Sequence, residues 1–157
     1  MRVIFVNAFK TPNPLMWITA IWTRGKYSHC EFLFDDEKMF GASFTEGKCR
    51  FDDAHIEDHK SFEVHTINTT PEEEQKVREF CEKYDGREYD YAGLFGFVFR
   101  SNSFDSRRRA FCSEIMSEGL TQCTKFSVSK KPHRMSPVRL HRDLNPCFIT
   151  DEYCEED

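Results

Sequence analysis

Apolar positions fall along this chain in short runs, some with the period of two of a strand and some with the wider spacing of a helix. Arg2 to Phe9 is β-branched and aromatic and predicts a first strand. Asn13-Pro14 then offers an N-cap and a proline at the first helical position. The helix it starts carries Leu15, Trp17, Ile18, Ile21 and Trp22 and stops at Gly25. So broad an apolar stripe predicts burial against the core, with either tryptophan also suited to wall a pocket.

Tyr27 to Phe34 predicts a second strand. Alternation places Cys30, Phe32 and Phe34 on the core face, and His29, Glu31 and Leu33 on the other. Cys30 reads as a small buried hydrophobe. Asp35-Asp36-Glu37 is a polar turn, and Lys38 to Phe44 is the return strand of a hairpin. In the register that keeps apolar against apolar, Phe32 faces Phe40 and Cys30 faces Ala42. The same register sets Glu31 opposite Gly41 and His29 opposite Ser43.

Gly47 to Lys60 is polar and reads as turn, and Ser61 to Asn68 predicts a third strand. Thr70-Pro71-Glu72-Glu73 is a strong helix start, with a capping box closed by Glu73. Val77, Phe80, Cys81 and Tyr84 follow at helical spacing, and Gly86 ends the run. The aromatic, glycine-dotted stretch from Tyr89 to Phe99 suits a helix or turn against the core. A polar loop from Ser101 ends in Arg107-Arg108-Arg109, and an apolar helix follows Cys112. Phe126 to Ser129 suggests one more strand, Ser136-Pro137 opens a short segment through Leu144, and Cys147 to Ile149 suggests an edge strand.

With 157 residues, 39% of them hydrophobic and 16 of them Phe, the chain suits a single domain over 1–150 with an acidic tail at 151–157. A net charge of −5 argues against a nucleic-acid partner. The charge is uneven: Arg107 to Arg109 and Lys125 to Arg142 are basic. Seven cysteines, an odd number with no CxxC pair, and no signal-like opening predict a reduced, cytoplasmic protein. The longest apolar runs fall short of the about 20 residues of a membrane span. His55 and His59 have ligand-like spacing, but Asp52, Asp53, Glu57 and Asp58 around them read as solvated surface. No metal and no cofactor is expected.

The candidate chemistry centres on Phe111-Cys112-Ser113-Glu114, directly before the apolar run Ile115 to Leu120. A thiol in the first turn of a helix meets unpaired backbone N–H groups and the positive end of the helix dipole, which favour the thiolate. Among the six histidines, His29 is the best base, since it points away from the core with Glu31 on its own face. Three residues compete to orient it. Ser43 lies opposite in the predicted ladder, where cross-strand neighbours are closer than residues two apart on one strand. Glu31 serves if it leans along the strand, and Glu46 stands just beyond the return strand. Glu114 reads as a capping carboxylate rather than a catalytic one.

Taken together, these pieces resemble the circularly permuted branch of the papain-like, NlpC-type cysteine hydrolases. That branch holds bacterial YiiX-like proteins, poxviral and phage relatives, and lecithin:retinol acyltransferase-like enzymes. Tyr27-Ser28-His29-Cys30-Glu31 resembles its early histidine motif, and Phe111-Cys112-Ser113-Glu114 its late nucleophile motif. Trp17 to Arg24, Gly86 to Gly96 with Tyr89-Asp90, and Ser136-Pro137 with Leu140 resemble further family stretches in the same order. The resemblance spans roughly Ile18 to Leu140. One position departs from it: many relatives carry a polar third member near Gly41 to Ser43, and Gly41 has no side chain to offer.

The resemblance implies an α+β fold of permuted papain-like type, with a small antiparallel sheet packed against the helix that carries Cys112 at its N-terminus. It implies a thiol hydrolase acting on an acyl, amide or peptide substrate, with Cys112 as nucleophile and His29 as base. The alternatives are a lipid acyltransferase or an inactive binding protein on the same fold. For a phage or viral relative, the host cytoplasm is the expected place of action.

Overall fold

A computed structural model describes residues 1–43, 46–54, 56, 60–88 and 112–149. The expectations for His55, His59, the 89–111 segment with its three arginines, and the acidic tail lie outside the described residues. The strands are β1 (Arg2–Asn7), β2 (Tyr27–Leu33), β3 (Lys38–Ser43), β4 (Lys48–Asp53), β5 (Phe62–Ile67) and β6 (Phe148–Ile149). They form one antiparallel sheet in the order β4-β3-β2-β1-β5-β6. Among the described residues four α-helices accompany it: α1 (Pro14–Thr23), α2 (Pro71–Tyr84), α3 (Cys112–Cys123) and α4 (Pro137–Leu144). The fold class is α+β, with the histidine strand early and the cysteine helix late in the chain.

Local chemistry sets most boundaries. Asn13 caps α1 by accepting the Leu15 N–H, and Thr70 and Glu73 close the capping box of α2. Ser136 caps α4 by accepting the Arg139 N–H. The alternation of β2 places Cys30, Phe32 and Phe34 in the main core with Val3, Phe5, Phe40 and α3. The other face is not open solvent. Ile4, Leu33 and Met39 form a second, smaller cluster there, partly covered by Ala54, Ile56 and Phe62.

Three expectations change. The segment read as turn after Gly47 contains β4, an edge strand that alternates Cys49 and Phe51 inward with Lys48, Arg50 and Asp52 outward. Its Phe51 ring packs on Phe40 with centroids 4.7 Å apart, so two inward residues suffice for a strand otherwise rich in charge. Phe126 to Ser129 is not a strand; Phe126 is buried as a single anchor in an irregular stretch. The stripe of α1 is not buried. Of its ten residues only Ala20 is fully enclosed, and Trp17, Ile18, Ile21 and Trp22 are 42%, 57%, 67% and 47% exposed. A helix with apolar residues on nearly every side buries one face at most, and the small Ala20 takes that place.

Candidate active site

The cysteine helix is fixed at both ends of its inner face. Ser113 Oγ donates a 2.7 Å bond to the Met135 carbonyl, holding the first turn of α3 to the segment before α4. Further along, a Cβ on Gly119 would stand 3.1 Å from the Phe80 ring and 3.3 Å from Phe32. The glycine therefore lets α3 settle close to both α2 and β2. Ile115, Met116 and Leu120 complete its buried face. Packing of this kind allows little movement of the thiol at the helix start.

Cys112 is the first residue of α3 and is buried. What it meets depends on how β2 and β3 separate. The hairpin register is the expected one, Phe32 opposite Phe40 and Leu33 opposite Met39, but the ladder ends there. β3 continues along β4 to Ser43, while β2 continues along β1 to Tyr27. Among the described residues, the first half of β2 thus has no ladder partner on its β3 edge. Cys112 takes hydrogen bonds there from the backbone and the thiol of Cys30 and meets the His29 side chain. A sulfur at the open strand edge can reach residues on both faces of the sheet, which is why it contacts two consecutive side chains.

His29 Nε2 and Glu31 Oε1 are 2.9 Å apart, so the imidazole donates to the carboxylate. With Nε2 engaged, Nδ1 is the nitrogen left to face the sulfur. Glu31 is buried and also faces Arg50, whose Nη1 lies 3.6 Å from Oε1. Arg50 in turn pairs with Glu46 through Nε and with Asp52 through Nη2 at 3.0 Å.

This network sets the charges. The Cys30 thiol hydrogen bond holds the Cys112 thiol well below its ordinary range; burial opposes this, and the charge of His29 adds to it. Burial alone would lower His29, but the Cys112 and Glu31 charges and hydrogen bonds push it up to about 10. Burial would raise Glu31, yet His29 and Arg50 bring it down. Burial raises Cys30, so it keeps its proton and donates it. These directions favour a thiolate–imidazolium pair backed by a carboxylate.

The candidates for the third position are now separated. Glu31 holds the carboxylate at His29. Ser43 Oγ accepts the Glu46 N–H at 3.2 Å and closes the turn after β3. Glu46 engages Arg50. Ser43 would face His29 only in a ladder running to its end, and β2 and β3 part before it. Gly41 also gains a reason. A Cβ there would lie 2.5 Å from Glu31 Cγ and 2.7 Å from Oε1, so the missing side chain is the space the Glu31 carboxylate occupies.

Two features were not foreseen. Arg50 sits on β4, opposite Gly41, and was hidden because its strand read as a turn. Near the start of β2, a register shift between Val6 and Asn7 turns Tyr27 to the core face. There Tyr27 Oη donates to Glu63 Oε2 at 2.6 Å and meets His141 Nε2 at 3.1 Å. His65 stacks on Phe148 beside them, with ring centroids 4.1 Å apart. Its only trace in the sequence is scattered polar residues on β5 and α4.

Among solved structures, the chain is similar to the crystal structure of the metalloprotein yiiX from Escherichia coli O157:H7, with a TM-score of 0.59 at 20% identity. The match covers 82% of this chain and 68% of that one. The fold is YiiX-like. No protein-family model matches the sequence, and no curated protein does. At this identity the likeness concerns the arrangement of sheet and helices. The chemistry must be argued from the residues of this chain.

Proposed function

We propose that the protein is a cysteine hydrolase that cleaves an amide, peptide or thioester bond through an acyl-enzyme on Cys112. The observation that carries this reading is the single contact network Cys112–His29–Glu31, assembled from α3 and an open strand edge. It unites a nucleophile, a proton carrier and an orienting carboxylate, the three parts that acyl transfer by a thiol requires.

In this reading the Cys112 thiolate attacks the acyl carbon. The backbone N–H groups at the start of α3 face the oxyanion that forms. The His29 imidazolium gives its proton to the leaving nitrogen or sulfur as the tetrahedral intermediate collapses. Water then attacks the thioester, with neutral His29 accepting its proton, and the carboxylic acid leaves as Cys112 returns to the thiolate. Glu31 touches no substrate atom; it fixes the tautomer and angle of the imidazole, as a positioning residue.

The inactive-binder alternative drew its support from the glycine at position 41. Against it stands Glu31, which fills the space beside Gly41 and reaches His29 from its own strand. The YiiX neighbour is a metalloprotein, which raises the same question for the donor set of this chain. Among the described residues no three His, Cys, Asp or Glu side chains converge on a metal position. In the Tyr27 cluster, His141 Nε2 is engaged by Tyr27, and Glu63 by Lys26, Tyr27 and Asn7. The described residues do not fit a metal.

The test is a panel of amide, peptide and thioester substrates with the Cys112→Ala protein as control. Hydrolysis that disappears with Cys112→Ala is expected. Turnover that survives this substitution would place the chemistry elsewhere.

A further inference from the structure

We infer that α1 is an interfacial docking helix that seats the protein on the surface of an anionic phospholipid bilayer. Trp17 and Ile21, and Ile18 and Trp22, are two i, i+4 pairs on adjoining sides of the helix, and all four are largely exposed. Phe9, 56% exposed in the turn just before α1, adds a fifth large apolar side chain. Five such residues within one short segment form a patch rather than scattered surface hydrophobes. The indole of Trp17 is held by a 2.9 Å bond to the Thr11 carbonyl, so it is ordered while exposed.

Charge selects the occupant. The protein carries −5 overall, yet none of its 27 acidic residues precedes Glu31. The patch is instead bracketed by the exposed cations Lys10 and Arg24 at the two ends of α1. Glu63, the carboxylate bonded to Asn7 and Lys26 beside this segment, is saturated by Lys26, Tyr27 and Asn7, so apolar and tryptophan side chains flanked by cations complement headgroups of negative charge over hydrocarbon. A second copy of the chain is a poorer match, because a symmetric contact would bring two cationic rims together. No helix among the described residues is long and apolar enough to cross a membrane, so the mode is surface docking. The seat is firm: a Cβ on Gly25 would stand 2.6 Å from Val138, so the end of α1 lies tight against α4.

The chain has two tryptophans, both in α1, so intrinsic fluorescence reports on this patch alone. Full-length protein is floated with phosphatidylcholine vesicles with and without phosphatidylglycerol, and tryptophan emission is recorded. Flotation and a blue shift with the anionic vesicles, weakened by salt, are expected. Ile18→Glu and Ile21→Glu, at positions too exposed to disturb folding, should each weaken binding by about tenfold or more. Lys10→Gln and Arg24→Gln should each weaken it by about fivefold. Cys112→Ala should bind unchanged, which separates this inference from the proposed chemistry. Equal binding to neutral vesicles, no flotation on either, or a blue shift produced by protein concentration without lipid would overturn it.

Discussion

Strand β2 carries two histidine environments a few residues apart, and they differ in sign. His29 faces the Cys112 sulfur and a carboxylate, and its pKa is pushed up to about 10. His141, packed on Tyr27 at the start of the strand, is brought down to about 4 by burial, with repulsion from a protonated His65 and from the Lys26 cation adding to the effect. Both have a glutamate in the neighbourhood. Glu31 spends its oxygen on His29, whereas Glu63 is saturated by Lys26, Tyr27 and Asn7 and has little left for His141. A nearby carboxylate does not by itself make a charged histidine; what matters is whether its lone pairs are free to accept from it. One site is thereby poised for proton transfer and the other is a neutral part of the core.

The largest effect should come from breaking the charged site. An ordinary thiol is only about 3% ionised near neutral pH, so losing the partner of Cys112 can cut its reactivity about 30-fold. His29→Ala should therefore slow iodoacetamide labelling of Cys112, read by mass mapping, by that order, whereas His141→Gln should leave it unchanged. Equal slowing by both would erase the distinction drawn between them. Glu31→Gln should reduce turnover of a substrate by about 10- to 100-fold, since it leaves the nucleophile and base in place and loosens their alignment. Gly41→Ala tests the same point sterically. The new Cβ must displace the Glu31 carboxylate, so reactivity should fall together with about 1–3 kcal/mol of stability. A fully active Gly41→Ala protein would mean that Glu31 is not needed where it stands.

How much of this was legible in the sequence follows from what each feature depends on. The capped helices, the core face of β2 and the hairpin register were readable because local patterning fixes them. Glu31 could be shortlisted and no further, because choosing it over Ser43 required knowing where the β2–β3 ladder ends. Past that ending the neighbour of β2 is Cys112 of α3, from far along the chain. The role of Gly41 was inverted for a related reason: a glycine signals an absent side chain, and only packing shows which neighbour fills the space. The exposure of α1 was missed because periodicity reports which residues are apolar and not whether anything covers them. Strand β4, with its Arg50, was hidden by its charge.

The neutral site gives a smaller, pH-dependent effect. Between about 6.5 and about 4 the unfolded chain takes up a proton at His141 that the folded chain resists. Its stabilising contribution is therefore complete above that window and is lost as the pH falls through it. The thermal midpoint should drop by a few degrees across this range, and His141→Gln should flatten part of the drop. His65, which burial also lowers, shares the remainder. The smallest effect is expected from Cys30→Ser, which keeps a donor to the sulfur, compared with Cys30→Ala, which removes it and should weaken thiolate formation further.

The central claim is that Cys112 rests as a thiolate paired with protonated His29. Thiolate absorbance in the ultraviolet, titrated against pH as a difference between the native protein and Cys112→Ala, tests it directly. The account predicts a Cys112 midpoint well below the about 8.5 of a free thiol, moving upward in His29→Ala. A midpoint at or above that value, unchanged by His29→Ala, would contradict it.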